Sequence, residues 1–439
     1  MNKVNIFPVK KFENSRETNH KTTIRWRVKW RVNGHDKTRS FPNRTEADEL
    51  HRRLTTAKRN VEEFDVLTGL PTSWKNIQRT FAECAAEFVS AKWTGWSAAH
   101  RRSTVEDLAH ALIYLVKPGV VSPFGREALS KAARLHILIP NAIASTDVDV
   151  AAATAWLKKN SLPLDQVNFN VANQMMAAIT KLLNGKGNVA PDTHHRRKTA
   201  CSSVFEYAIK CKYAKVNHLA TYQVPGQNAQ IDKRSVLTKE ECRDIVTTLD
   251  RGSRRDLRMA LFLCMLWMAG LRPSEVLALR KGDLVKDGHG GHELILSRAS
   301  VPCGTMYSNS GASKDDKGLK WRAVGATRVV PVPNELAKRL REYTKGMKSS
   351  DLIFESNTSG VALSLTVFED HWVKIRPSIT KLYDLRHTNA SILIYAGLNV
   401  AEVAARLGHS IGVCSSKYIH FFNQYNKTSN RKVEAFLAK

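Results

Sequence analysis

No two cysteines of this 439-residue chain stand in a CxxC spacing. The seven that occur, Cys84, Cys201, Cys211, Cys242, Cys264, Cys303 and Cys414, are odd in number and scattered. A zinc ribbon is thereby excluded, a disulfide framework is disfavoured, and a reducing cytosol is the expected setting. The opening stretch, MNKVNIFPVKKFENS, has no apolar core of the secretory type. The longest apolar run, residues 259–271, is too short to span a bilayer and reads as a buried helix. No internal repeat and no low-complexity tract is present, and His289 and His292 sit in a Gly-rich loop without partner ligands. Acid is scarce as well. Lys and Arg number 68 against 40 Asp and Glu, and 68 − 40 gives a net charge of +28. That excess runs through the chain rather than through one tail, which points to a nucleic-acid partner. The length calls for two or three domains.

Residues 22–32 read TTIRWRVKWRV, in which Ile24, Trp26, Val28, Trp30 and Val32 alternate with Arg25, Arg27, Lys29 and Arg31. A period of two makes this a strand with one apolar and one cationic face. Asn33-Gly34 is a hairpin signal, residues 37–41 return as the partner strand, and Thr45 is placed to cap a helix running to about residue 61. Four like charges on one short face repel each other, and a polyanion removes that cost. Residues 69–73, GLPTS, read as a linker.

From Thr80 to about residue 225 the pattern is helical. Phe81, Cys84, Ala85 and Phe88 form one series, and Val105, Leu108, Leu112 and Val116 another. Further helices are expected over residues 171–183 and 192–209, with loops around Pro118-Gly119 and Pro123-Phe124-Gly125 in the less patterned stretch 117–150. The clusters holding Arg101, Arg102, Arg196 and Arg197 are candidates for phosphate contacts, with a solvated helix face as the ordinary alternative. Residues 224–233 break the pattern and read as an interdomain linker. Beyond them Thr238 and Glu241 form a capping signature, and residues 256–269 read as a core helix ended by Gly270. Arg272 then falls in the turn before a helix over 274–279, with Pro273 in its first turn. Strands are expected at 293–299 and 327–332, joined by a long polar loop carrying Lys314, Lys317, Lys320 and Arg322. Asn399 and Glu402 cap a helix over 400–407 that Gly408 ends, and residues 430–437 suggest a short terminal helix. Three parts result: residues 1–68, 78–225 and 234–439.

The chemistry gathers in the words GLRPSE around Arg272, YDLRHT around Tyr383 and Arg386, and LGHS around His409, with Tyr418 nine residues after that histidine. Attack on a phosphodiester builds charge on the non-bridging oxygens. Arginine, always charged and able to bind two oxygens at once, suits it best. A phenol serves as nucleophile because the phosphotyrosine ester conserves the bond energy for rejoining.

These words resemble the catalytic domain of the tyrosine recombinases, or phage-type integrases, over about residues 236–425. The resemblance implies an α+β multidomain fold: a small N-terminal β-sheet plus helix that binds arm-type DNA sites, an all-helical core-binding domain, and a mainly helical catalytic domain with a small sheet. Tyr418 is then the nucleophile, Arg272 and Arg386 hold the phosphate, His409 adds a hydrogen bond and Lys320 protonates the leaving oxygen, with Lys317 and Arg322 behind it. Arg25, Arg27, Lys29 and Arg31 face the DNA from the front sheet. The implied partners are double-stranded attachment-site DNA, three further copies in a homotetramer, and an accessory DNA-bending or excision factor. No membrane, metal or other cofactor is implied.

Two positions depart from the family pattern. Its His-x-x-Arg begins here with Tyr383, whose phenol is a poor proton shuttle near neutral pH. The loop before Arg328-Val329-Val330-Pro331 is also longer than usual. His387 sits about 100 degrees round a helix from Arg386 and reads as packing. A DNA-binding protein of the same fold that no longer recombines is one alternative. A mechanistically related topoisomerase is another, disfavoured by the three-part layout.

Overall fold

The computed structural model describes residues 3–15, 22–74, 79–182, 186–224, 231–319, 325–377, 379–426, 434 and 436–438. Lys320, Arg322, most of the expected linker and most of the expected terminal helix lie outside them.

The alternation at the front of the chain builds a four-stranded antiparallel sheet. Strands β1 (Val4–Ile6) and β2 (Lys10–Ser15) follow one another along one edge of β3 (Thr22–Val32), and β4 (His35–Phe41) takes the other. Asn33 and Gly34 turn the hairpin with φ of 48° and 88°, as a two-residue primed turn requires. Val28, Trp30 and Val32 are buried against Ala47, Leu50, Leu54 and Ala57 of α1 (Arg44–Arg59). The cap of α1 is Asn43 rather than Thr45: its carbonyl oxygen accepts from the Glu46 amide at 2.9 Å, and its side-chain amide donates to the Glu46 carboxylate at 2.8 Å. Residues 69–73 are not a free linker. The Gly69 carbonyl accepts from the Trp30 indole, Phe64 bridges Pro71, and Leu70 and Trp74 pack against the sheet's core.

A second core belongs to α2 (Phe81–Lys92), α3 (Ala98–Tyr114), α4 (Arg126–Lys131), α5 (Val148–Asn160), α6 (Phe169–Ile179) and α7 (Pro191–Lys210). Thr80 and Glu83 close a capping box at the start of α2. Within the less patterned stretch 117–150 lie α4, a π-helical turn (Ala132–Ile137) and the start of α5, all beyond Gly125.

The third part is mainly helical: α8 (Lys239–Asp250), α9 (Arg254–Trp267) and α10 (Pro273–Leu277) precede the strands. These are β5 (Leu284–Lys286), β6 (His292–Leu296), β7 (Ala299–Pro302), β8 (Lys314–Lys317) and β9 (Arg328–Val332). Helices α11 (Asn334–Tyr343), α12 (Leu365–Ile375), α13 (Asp384–Tyr395), α14 (Val400–Leu407) and α15 (Ile411–Asn426) follow. Strands β5, β6 and β9 form an antiparallel sheet in that order. Every residue of α9 from Met259 to its end is buried, which is why its sequence is apolar on all sides. The expected polar loop folds instead into the β7–β8 hairpin, and its turn inserts Cys303 and Tyr307 into the core of the helical part. Among the described residues no helix is long and apolar enough to cross a membrane. None of their His, Cys, Asp and Glu side chains form a group of three set to hold a metal.

Candidate active site

Two glycine turns bring the arginines together. Gly270 follows α9 at φ 64°, and a Cβ there would lie 2.3 Å from Asn389 Oδ1. Its carbonyl accepts from Arg386 Nη1. Gly408 ends α14 at φ 63°, and its carbonyl accepts from Arg272 Nη2 at 2.9 Å. The preceding carbonyl, of Leu407, accepts from Arg386 Nη2. The turns that stop two helices therefore supply the acceptors that aim two guanidinium groups.

Glu275 completes the scaffold. Its Oε1 accepts from Arg272 Nη1 at 2.8 Å, and its Oε2 accepts from the Arg272 amide at 2.8 Å and from Arg328 Nη2 at 2.7 Å. Burial alone would raise this carboxyl's pKa, but Arg328, Arg272 and Arg386 outweigh it and hold it below the ordinary value. Sequence reasoning assigned no role to Glu275 or Arg328. The visible signal was the acid in GLRPSE and an arginine opening a buried strand.

Arg386 is fully buried. Its Nη2 lies 3.1 Å from His409 Nε2, and its Nε has no hydrogen-bond partner among the described residues. Because Arg386 is always a donor, His409 Nε2 accepts and Nδ1 carries the hydrogen, and that Nδ1 is also buried without a partner. Burial, then the charges of Arg386 and Arg272, holds the His409 imidazole at a pKa of about 3. Tyr418 is fully buried on α15, its ring 6.4 Å from that of His409 and nearly parallel to it. Burial pushes its hydroxyl well above the ordinary value, although Arg386 and Arg272 pull the other way.

The Tyr418 hydroxyl bonds His387 Nδ1 at 2.7 Å. This corrects the reading of His387 as packing: the step round α13 that carries it away from Arg386 turns it toward α15. Tyr383 stands at the start of α13, 38% exposed, with its ring 5.2 Å from that of His387. Lys320 itself is outside the described residues, but Gly318 and Leu319 before it line a cavity of about 670 Å³ together with Arg272, Ser274, Trp96 and His100. The cleft thus lies between the helical part and the third part, with Arg272 in its wall.

The expected phosphate contacts divide. Arg101 is buried: its Nε donates to the Trp93 carbonyl at 2.8 Å, and its Nη1 donates to the Tyr307 carbonyl at 2.9 Å and to Asn309 Oδ1 at 2.7 Å. Arg197 is mostly buried beside Asp107 and donates to the Ile179 carbonyl. Each is engaged in holding elements together. Arg102 pairs with Glu106 at 2.9 Å and Arg196 with Asp107 at 2.6 Å, both with about half of the side chain exposed. On the front sheet Arg25 and Arg27 are exposed, and the Arg27 guanidinium lies 4.0 Å from the centre of the Phe12 ring. Lys29 and Arg31 share Asp36 at 2.8 and 2.5 Å, so the repulsion along that face is relieved in part across the hairpin.

Residues 235–424 match the family model of the phage integrases. Over that part the chain is similar to the phage integrase family. Integrase of Mycobacterium phage D29 is 24% identical to it over 256 residues, 56% of this chain and 63% of that one. Tyrosine recombinase XerD of Haemophilus influenzae is 24% identical over 297 residues, 64% of this chain and 88% of that one. The integrases of Mycobacterium phages D29 and L5 are matched over only 63% and 60% of their lengths. In fold, this chain resembles the Tn1549 transposon integrase in complex with a circular intermediate DNA. The TM-score is 0.51 at 15% identity, covering 79% of this chain and 99% of that one. The fold is α+β, with a small N-terminal sheet followed by helical domains.

Proposed function

We propose that this chain is a site-specific DNA recombinase of the integrase type, cutting and rejoining double-stranded DNA through a covalent 3′-phosphotyrosyl intermediate. Tyr418 attacks the scissile phosphate and leaves a free 5′-hydroxyl. Arg272 and Arg386 hold the non-bridging oxygens, His409 Nδ1 donates a further hydrogen bond, Tyr383 offers its hydroxyl, and Lys320 protonates the leaving oxygen. The observation that carries this reading is the convergence of Arg272, Arg386, His409 and Tyr418 from four separate elements, with donors at Arg386 Nε and His409 Nδ1 left without partners among the described residues. Such a set suits an anion with several oxygens. It gives no support to the alternative of a protein that no longer recombines.

In the same reading the front sheet contacts distal arm sites through Arg25, Arg27, Lys29 and Arg31, and Arg102 and Arg196 reach core-site phosphates with their exposed edges. Four copies assemble on DNA with an accessory bending or excision factor, in the cytoplasm. Relaxation of plasmids lacking any target site would instead favour a topoisomerase.

The test uses a nicked duplex built from the DNA that flanks the gene. Tyr418→Phe is expected to bind it with near-normal affinity and to form no covalent adduct on a denaturing gel. Arg386→Ala is expected to lower the cleavage rate by about 100- to 1000-fold, the usual effect of one lost donor to developing charge. An adduct formed by Tyr418→Phe overturns the reading and moves the nucleophile elsewhere, Tyr425 first.

A further inference from the structure

We propose that His387 is the proton acceptor for the tyrosine nucleophile. The assignment rests on Tyr418 being that nucleophile. Among the described residues, His387 Nδ1 is the partner of the Tyr418 hydroxyl, at 2.7 Å, within hydrogen-bond reach of the proton to be removed. Tyr383, which stands where the family pattern has histidine, carries a phenol of the same kind as the nucleophile and offers no basic nitrogen. His409 Nε2 is engaged by Arg386, so its lone pair points at a guanidinium.

The state of the imidazole fits. A nitrogen that accepts from a tyrosine hydroxyl must be the unprotonated one, so His387 carries its hydrogen on Nε2. Burial, then the charges of Lys417 and Arg386, holds it neutral. Burial, with the same charges behind it, keeps it a weak base while no phosphate is present. A phosphate seated on Arg386 and Arg272 offsets the Arg386 charge and strengthens the base when the nucleophile is needed. The proton on Tyr418 passes to His387 Nδ1 as the phenol oxygen bonds to phosphorus. The bond from phosphorus to the 5′-oxygen breaks, and that oxygen leaves with a proton from the loop lysine. The charged and titratable groups facing His387 are Arg386 and Asp384 on α13, Tyr383 before it, Lys417 and Tyr418 on α15, His409, and Asp232, Arg234 and Lys381 around the cavity of about 420 Å³ that His387 lines.

His387→Asn keeps a hydrogen-bond acceptor but cannot take up a proton. On the nicked duplex it is expected to cleave about 100-fold or more slowly than wild type at neutral pH, with the deficit shrinking as pH rises and hydroxide takes over. His387→Ala is expected to regain cleavage when free imidazole is added, entering through the cavity beside Lys381. Both variants are first required to bind the duplex like wild type. Should neither fold, the wild-type chain is tested on a duplex whose leaving 5′-oxygen is replaced by sulfur. That leaving group needs no proton, so a slower rate in D₂O reports the tyrosine proton. Wild-type cleavage by His387→Asn, no rescue by imidazole, or an equal rate in D₂O overturns the proposal. If Tyr418→Phe is inert while His387→Asn cleaves normally, only the role of His387 falls. If Tyr418→Phe forms an adduct, the nucleophile reading falls first.

Discussion

At the scale of single residues, Glu275 decides the geometry. It is 1% exposed and takes hydrogen bonds from both Arg272 and Arg328. Removing one partner of a buried ion pair strands the other charge and typically costs about 3–5 kcal/mol. Glu275→Gln should therefore lower the free energy of unfolding in urea by roughly that amount and slow cleavage through a misplaced Arg272. The pH dependence has a definite sign. The folded-state pKa of Glu275 lies below its unfolded value of about 4.3, so the stabilisation is full above that value and is lost as pH falls from it toward the folded pKa. Wild type should show this acid-side loss and the glutamine variant should lack it. Equal urea midpoints for the two proteins at neutral pH would show that the triad does not hold the site.

At the scale of elements, the front sheet shows how far local signals reach. The alternation of β3, the Asn33-Gly34 turn, the helix start at Thr80 and the capping boxes at Thr238 and Asn399 were all legible, since each depends on residues within a few positions of one another. The end of the first unit was not, because Gly69, Leu70 and Trp74 declare themselves only through contact with Trp30 and the sheet core. A deletion at residue 65 should therefore leave a destabilised remnant, whereas removal of residues 1–74 takes the unit out whole. The shorter protein should lose arm-site binding in a gel-shift assay yet retain cleavage of the nicked core duplex. Arm binding by the intact chain should weaken steeply with salt, because each neutralised phosphate releases counterions. Arm binding that survives deletion of 1–74 would reassign the sheet.

At the scale of the whole molecule, the β7–β8 hairpin joins two cores. Arg101 stands at the junction, its guanidinium 4.9 Å from the centre of the Trp93 ring and bonded to both sides of the contact. Cys303 and Tyr307 enter the helical core beside it. Arg101→Ala leaves the carbonyl of buried Tyr307 without its donor, a loss of about 1–3 kcal/mol for a buried group left unsatisfied. The expected result is a larger radius of gyration in solution scattering with the helical content unchanged. An unchanged radius would show that the hairpin does not hold the two parts together.

What the sequence by itself determined is the candidate set: Arg272, Arg386, His409 and Tyr418 are recognisable because side-chain type and short-range spacing are written in the chain. The three-part layout follows from periodicity in the same way. The tertiary structure decided which charges are free and which are spent. Arg101 and Arg197 look like surface cations in their helices, yet they are buried by segments far along the chain or by neighbouring helices. His387 looked like packing because a helical wheel fixes the angle between neighbours but not what lies opposite each of them. Only the docking of α15 on α13 sets its imidazole against the Tyr418 hydroxyl. Periodicity is a local property of the backbone, whereas burial and pairing belong to contacts between distant segments, and those exist only once the chain has folded.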